Sequence, residues 1–209
     1  MRAFGPAAGR QLASIRWASN LTRTRHASMI TIDPYDSAWP ARFEVEALRI
    51  RRLLGELALR VEHVGSTAVP GLAAKPVIDI QVSVSSIEPL GSHIARLAQV
   101  GYGHIPLGPI DLVYPFFQKP TVWPSTHHVH LCVIGSEQER KHLAFRDYLR
   151  NHSSVAAEYV ILKRQLASAH DGVTIESQER YSLSKSEFVN SVLKRALADG
   201  YASPHRLDA

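Results

Sequence analysis

Residues 63–82 read HVGSTAVPGLAAKPVIDIQV. The second half alternates: Ile78, Ile80 and Val82 face one way, Asp79 and Gln81 the other. This β-branched run predicts a strand over residues 77–84, with a shorter strand, 61–64, before the glycine. A carboxylate inside so apolar a strand needs a partner or a metal ion, unless its face of the sheet is open to water. The alternation fits both uses. Between the strands, Gly65-Ser66-Thr67 forms a tight turn whose backbone N–H groups and hydroxyls can cradle a phosphate. It is not a Walker loop, because five residues separate Gly65 from Gly71 and Leu72 stands where lysine should follow. An ordinary strand-to-helix turn is the commoner use of such residues. Lys75, just before Pro76, adds a cation.

Outward from this stretch the pattern is mixed. Residues 30–40 carry Asp-Pro and Trp-Pro and read as extended chain. Residues 40–58 space Phe43, Ala47, Ile50, Leu54 and Leu57 as a helix, with Pro40 in its first turn. A second helix runs from Pro89 to about Val100, ended by Gly101 and Gly103. Residues 112–118 and 127–134 read as strands, and Pro115 pushes the first to a sheet edge or a bend. Beyond Gly135 helices are expected at 137–151, 153–169 and about 177–199. Ser153 and Ser177 are the expected N-caps, and His170-Asp171-Gly172 the break between the last two helices. The order predicts an α/β (α+β) fold: a small mixed sheet flanked by helices, about 29–135, with a helical C-terminal part, about 136–200, against the sheet edge.

Two further groups carry chemistry. In the 127–134 strand His128 and His130 share a face, with Val129, Leu131 and Val133 opposite. Such a pair can ligate a metal, act as acid and base, or contact phosphate. His63 is expected at the same cavity. In the helices, Arg146 stands in Phe145-Arg146-Asp147-Tyr148-Leu149-Arg150, and Tyr159 with Lys163 and Tyr181 with Lys185 are spaced i, i+4 on one helix face. A lysine beside a tyrosine can hold a phosphate and stack a base. A solvated helix face with the tyrosine packed inward is the commoner use of each pair taken alone.

Composition narrows the partners. Of 209 residues 45% are apolar and 21% charged, as in globular proteins. The net charge of +5 misleads, because residues 1–28 hold five of the 24 basic residues and none of the 19 acidic ones. The remainder is formally neutral, so no general nucleic-acid surface is implied. No run reaches the ~18 apolar residues of a membrane helix. One cysteine, Cys132, excludes an intrachain disulfide. The leader reads as a disordered segment, translated sequence before a start at Met29, or a transit peptide. The expected location is the cytoplasm, or the mitochondrion if it is a transit peptide.

The run 63–82 resembles the signature of the GrpB family, in the nucleotidyltransferase superfamily. So do Tyr35…Trp39-Pro40…Phe43, His128-Val129-His130, residues 145–150, Tyr159 with Lys163, and Tyr181…Lys185…Phe188. The resemblance spans about residues 30–195. It implies a nucleotidyltransferase-like sheet and metal-dependent transfer of a nucleoside monophosphate to a small acceptor. It assigns Gly65 and Ser66 to phosphate, and Thr67, Lys75, Arg146, Lys163 and Lys185 are the further residues expected to contact it. It makes Asp79 the first metal ligand, with Gln81, His128 and His130 as the remaining candidate ligands and His130 as ligand or general base. The implied cofactor is a divalent ion, Mg²⁺ by superfamily habit, and the implied partner a nucleotide. Gln81 departs from the pattern, which has a second carboxylate there. That departure supports an alternative: a module that binds a nucleotide or a coenzyme-A-like ligand without transfer chemistry.

Overall fold

The computed structural model describes residues 30–122, 124–170 and 175–201. The leader 1–28 and the Asp171-Gly172 part of the expected break lie outside them. Helix α1 (Trp39–Leu54) carries Pro40 in its first turn and ends at Gly55, whose φ of 56° suits a residue without Cβ. Its stripe of Trp39, Phe43, Ala47, Ile50 and Leu54 is buried. Strands β1 (Arg60–Val64) and β2 (Ile78–Val84) follow, then α2 (Leu90–Ala98), β3 (Gly103–Ile105), β4 (Phe116–Lys119) and β5 (His127–Val133). Helices α3 (Glu137–Asn151), α4 (Ser153–Ala169), α5 (Ile175–Leu183) and α6 (Ser186–Ala198) complete the chain.

The sheet order is β1-β2-β5-β4-β3, with β2 and β5 parallel and the other pairs antiparallel. One face packs on α1 and α2 through Ile78, Ile80, Val82, Phe117, Val129 and Leu131. The opposite face carries Asp79, Gln81, Ser83, His128, His130 and Cys132 in register across β2 and β5. Helix α3 crosses that face. Ser136 caps it by accepting from the Glu139 N–H, and Glu139 reaches back to the Gly135 N–H and across to Ser83. A second core joins α3, α4 and α6 to the loop at Val69 and Leu72.

Four sequence expectations change. The helical part covers a sheet face, not its edge, because α3 carries inward-facing groups that the polar face of β2 requires. Strand β4 is interior, since the short β3 pairs outside it. Pro115 precedes β4 and gives only its carbonyl, which accepts from Leu131 N–H at 3.0 Å. The single helix expected at 177–199 is two, breaking at Ser184, whose hydroxyl bonds the Arg180 carbonyl at 2.8 Å. Ser153 opens α4 but is not its cap, and Ser177 is buried inside α5.

Candidate functional site

The second residue of β2 organises the polar face. Asp79 pairs with Val64 of β1 and His128 of β5. Its Oδ1 lies 3.1 Å from His128 Nδ1 and 3.5 Å from His130 Nε2. The three side chains keep 27%, 18% and 20% of their exposure, so solvent reaches the cluster. Burial opposes ionisation of Asp79, but hydrogen bonds from His128 and His130 outweigh it and hold the carboxyl well below the usual range. Burial pushes His128 below its ordinary value, with Asp79 pulling the other way. Gly65 closes one side. A Cβ on Gly65 would clash with Asp79 Oδ2, so the turn approaches the carboxylate as only glycine allows.

Behind the cluster sits a layer of neutral hydrogen-bonding groups. Gln81 is fully buried, and its Oε1 meets His142 Nδ1 of α3 at 3.0 Å. Tyr114 Oη lies 2.6 and 3.0 Å from the two ring nitrogens of His142, and the Tyr114 ring stacks on His130 at 5.2 Å. Burial, with the neighbouring His130, drives His142 down to about 3, so the ring is neutral. Sequence reading missed His142 and Tyr114. The available signal was the i, i+3, i+7 spacing of Glu139, His142 and Arg146 on one face of α3.

In front of the cluster sit the turn and the C-terminal helices. Ser66 lies close enough to Tyr159 of α4 to act on its hydroxyl. Lys75 Nζ donates to Gln178 Oε1 of α5 at 2.8 Å, and Lys185 Nζ lies 4.2 Å over the Tyr181 ring. Burial lowers both lysines to about 8, against the attraction of the Asp79 charge. The segment carrying Lys75 is pinned by paired backbone bonds between Asp33 and Ala74, both 2.9 Å. The structure therefore brings Gly65, Ser66, Lys75, Lys185, Asp79, His128 and His130 together from both parts of the chain.

Other expected site residues are placed elsewhere. Gln81 is no surface ligand, because its amide is committed to the interior beside His142. Thr67 turns beneath the loop, where its Oγ1 donates to the Val77 carbonyl and lies 3.0 Å from His63 Nε2. His63 occupies the opposite sheet face, stacked on Phe43 at 4.8 Å, because odd and even residues of β1 diverge. Arg146 is tied to Glu62, Asp147 and the His63 carbonyl. It lines a cavity of about 360 Å³ with Tyr35, Arg51 and Arg150 that does not reach Asp79. Lys163 is buried one layer out, donating to the Ala73 carbonyl at 2.5 Å and lying 4.7 Å from the Tyr159 ring centre. Burial, with repulsion from Lys185, lowers it to about 7.

Among the described residues, Asp79, His128 and His130 have ligand atoms all within 4.8 Å of one another. One carboxylate and two imidazoles do not fit Mg²⁺, which takes an octahedron of hard oxygen donors.

The chain has relatives. The family model described as GrpB protein matches residues 29–195. The UPF0157 protein YqkA of Bacillus subtilis is 35% identical over 163 residues, covering 78% of this chain and 46% of its own length. A dephospho-CoA kinase of Mycolicibacterium paratuberculosis is 31% identical over 182 residues, covering 76% and 45%. The chain thus spans about half the length of both. The crystal structure of the conserved protein GrpB from Enterococcus faecalis superposes with a TM-score of 0.70 at 38% identity, covering 81% of this chain and 98% of that one. Among the described residues no helix is long and apolar enough to cross a membrane. This chain, with its five-stranded mixed sheet and its Gly-Ser turn set against Asp79, belongs to the GrpB family.

Proposed function

We propose that the protein binds a nucleotide-like phosphate ester, in the cytoplasm, between the Gly65-Ser66 turn and the α4–α6 helices. The supporting observation is the meeting of Lys75 and Lys185, more than a hundred residues apart, with Ser66 and Tyr159 on the Asp79 face. The turn supplies backbone donors and a hydroxyl, the lysines supply charge, and Tyr181 supplies an aromatic face beside Lys185. A coenzyme-A-like ligand has the same chemistry, and one relative is named a dephospho-CoA kinase. Nucleoside monophosphate transfer is the second reading, favoured by the position of Asp79 against the glycine turn. The place of a second carboxylate is taken by Gln81, a neutral amide, so among the described residues the two-metal clamp of such transfer has no counterpart.

Calorimetric titration with ATP and with coenzyme A tests the binding reading. Lys185→Ala is expected to weaken binding of whichever ligand is accepted about 10- to 100-fold, as loss of a charge-assisted hydrogen bond does. The pH dependence has a definite sign. Lys75 and Lys185 titrate near 8 in the free protein, so an anion meets two ammonium groups below that value and neutral amines above it. Affinity should fall between pH 7 and 9.5, with release of protons from the free protein over that range. No binding of either ligand at pH 6.5, or binding unchanged by Lys185→Ala, would count against this reading. Release of labelled pyrophosphate from a nucleoside triphosphate on addition of acceptors distinguishes transfer from binding alone.

A further inference from the structure

The geometry assigns Asp79, His128 and His130 to one divalent transition-metal ion of the zinc class, with Gln81 holding His130 from behind. Three observations carry this.

The first is spacing. Ligand atoms held about 2.0–2.1 Å from a zinc-sized ion lie about 2.9–3.4 Å apart, depending on coordination number. Asp79 Oδ1 is 3.1 Å from His128 Nδ1, inside that range, and 3.5 Å from His130 Nε2, just beyond it, with all three ligand atoms within 4.8 Å of one another. Both rings converge on the same carboxylate oxygen, and imidazole donors suit zinc, cobalt, nickel or iron better than magnesium.

The second is the support behind each ring. A ligating histidine nitrogen needs its lone pair, which the partner of the other nitrogen fixes. His128 turns its far nitrogen, Nε2, to the buried Ser125 hydroxyl at 2.8 Å. A hydroxyl that accepts there leaves Nδ1 free for the ion.

The third is a matched pair of orphans. His130 Nδ1 and Gln81 Nε2 are both buried without a hydrogen-bond partner among the described residues, and the two residues are register neighbours across β2 and β5. The two ends of an amide are assigned from their neighbours. Turning the Gln81 amide over gives its NH₂ group to His142 and its oxygen to the side of His130. That oxygen is an acceptor for the His130 Nδ1–H through one water, and a proton fixed on Nδ1 gives the Nε2 lone pair to the ion in place of the proton that Nε2 shares with Asp79 in the metal-free protein. Gln81 is then a positioning residue. A buried carboxylate there would add charge that no cation in this layer neutralises, since His142 and Tyr114 are its neighbours.

Lys75 and Lys185 stand within electrostatic reach of Asp79, so an anionic oxygen would suit a further coordination position. The metal assignment itself does not depend on the phosphate reading, and its test uses metal alone. Metal-free protein is titrated with Zn²⁺, Co²⁺ and Mg²⁺ by calorimetry, and the Co²⁺ complex is read by visible absorption. One Zn²⁺ or Co²⁺ per chain is expected, bound at least 100-fold more tightly than Mg²⁺. His128→Ala and His130→Ala should each lower Zn²⁺ affinity at least 100-fold with the melting curve of the metal-free protein retained. Asp79→Asn, which keeps the shape, should do the same if an alanine variant misfolds. Gln81→Leu should keep the stoichiometry, lose about 10-fold in affinity and shift the Co²⁺ bands. Absence of saturable binding, equal affinity for Mg²⁺, or full binding in the His128→Ala/His130→Ala double variant overturns the site and leaves a carboxylate–imidazole hydrogen-bond cluster. Unchanged affinity and bands in Gln81→Leu overturn the positioning role.

Discussion

Arg146→Met should destabilise the protein by about 3 kcal/mol, the low end for breaking a buried ion pair. Arg146 is 9% exposed and donates to Glu62 Oε2 at 2.7 Å, Asp147 Oδ1 at 2.7 Å, Asp147 Oδ2 at 3.0 Å and the His63 carbonyl at 3.0 Å. Methionine fills much of its volume but leaves Glu62 and the His63 carbonyl without this donor and Asp147 with only the longer Arg150 contact at 3.4 Å. Glu62 is about a third exposed, so water recovers part of its loss and the low end applies. Arg146→Lys keeps the charge but not the fork that serves three acceptors at once, so an intermediate cost is expected. Urea unfolding at pH 7 measures both. A loss below about 1 kcal/mol for Arg146→Met would show that the link between α3 and β1 is held by packing instead.

Gly65→Ala should cost as much and remove ligand binding as well. The glycine has φ 71° and ψ −169°, a region essentially closed to other residues, and occupying it costs about 1–3 kcal/mol. The new methyl would also strike the Asp79 carboxylate, which is held by two histidines and cannot swing aside. Such overpacking adds about 1–3 kcal/mol. The two causes separate in the double variant Gly65→Ala/Asp79→Gly, which relieves the clash and keeps the backbone strain. Recovery of part of the lost stability is expected on thermal melting. A Gly65→Ala protein with the wild-type melting temperature would mean that the turn relaxes freely, and the close fit of turn and carboxylate would lose its weight.

Both variants probe places where local sequence signals were strong but incomplete. Gly65 was readable as a turn because a glycine after a strand has few other uses. Its contact with Asp79 was not, because thirteen residues intervene and only pairing of β1 with β2 sets Val64 beside Asp79. Arg146 illustrates the reverse. Its position among aromatics suggests a ligand contact, but helix phase alone does not say which neighbour a face will meet. In the fold it meets Glu62 and Asp147, and it is neutralised there. The third lysine, Lys163, was expected at phosphate and instead clips the Ala73 carbonyl to α4, which steadies the segment leading to Lys75.

Alternation alone determined that Asp79 and Gln81 share a face of the 77–84 strand and that His128 and His130 share a face of the 127–134 strand, since strand period depends on backbone geometry alone. Helix and strand identities followed in the same way from spacing and from Gly, Pro and Ser positions, except where β3 was too short and the Ser184 break had no glycine or proline to mark it. Tertiary structure alone decided the rest. It set β2 beside β5 in parallel, so that the two polar faces became one. It laid α3 over that face, so that Gln81 was sealed against His142 while Asp79 stayed open. It brought Lys185 to Asp79 across the whole length of the C-terminal helices. Those outcomes depend on contacts between residues distant in the chain, whose free energies come from packing and desolvation of surfaces that no local pattern encodes.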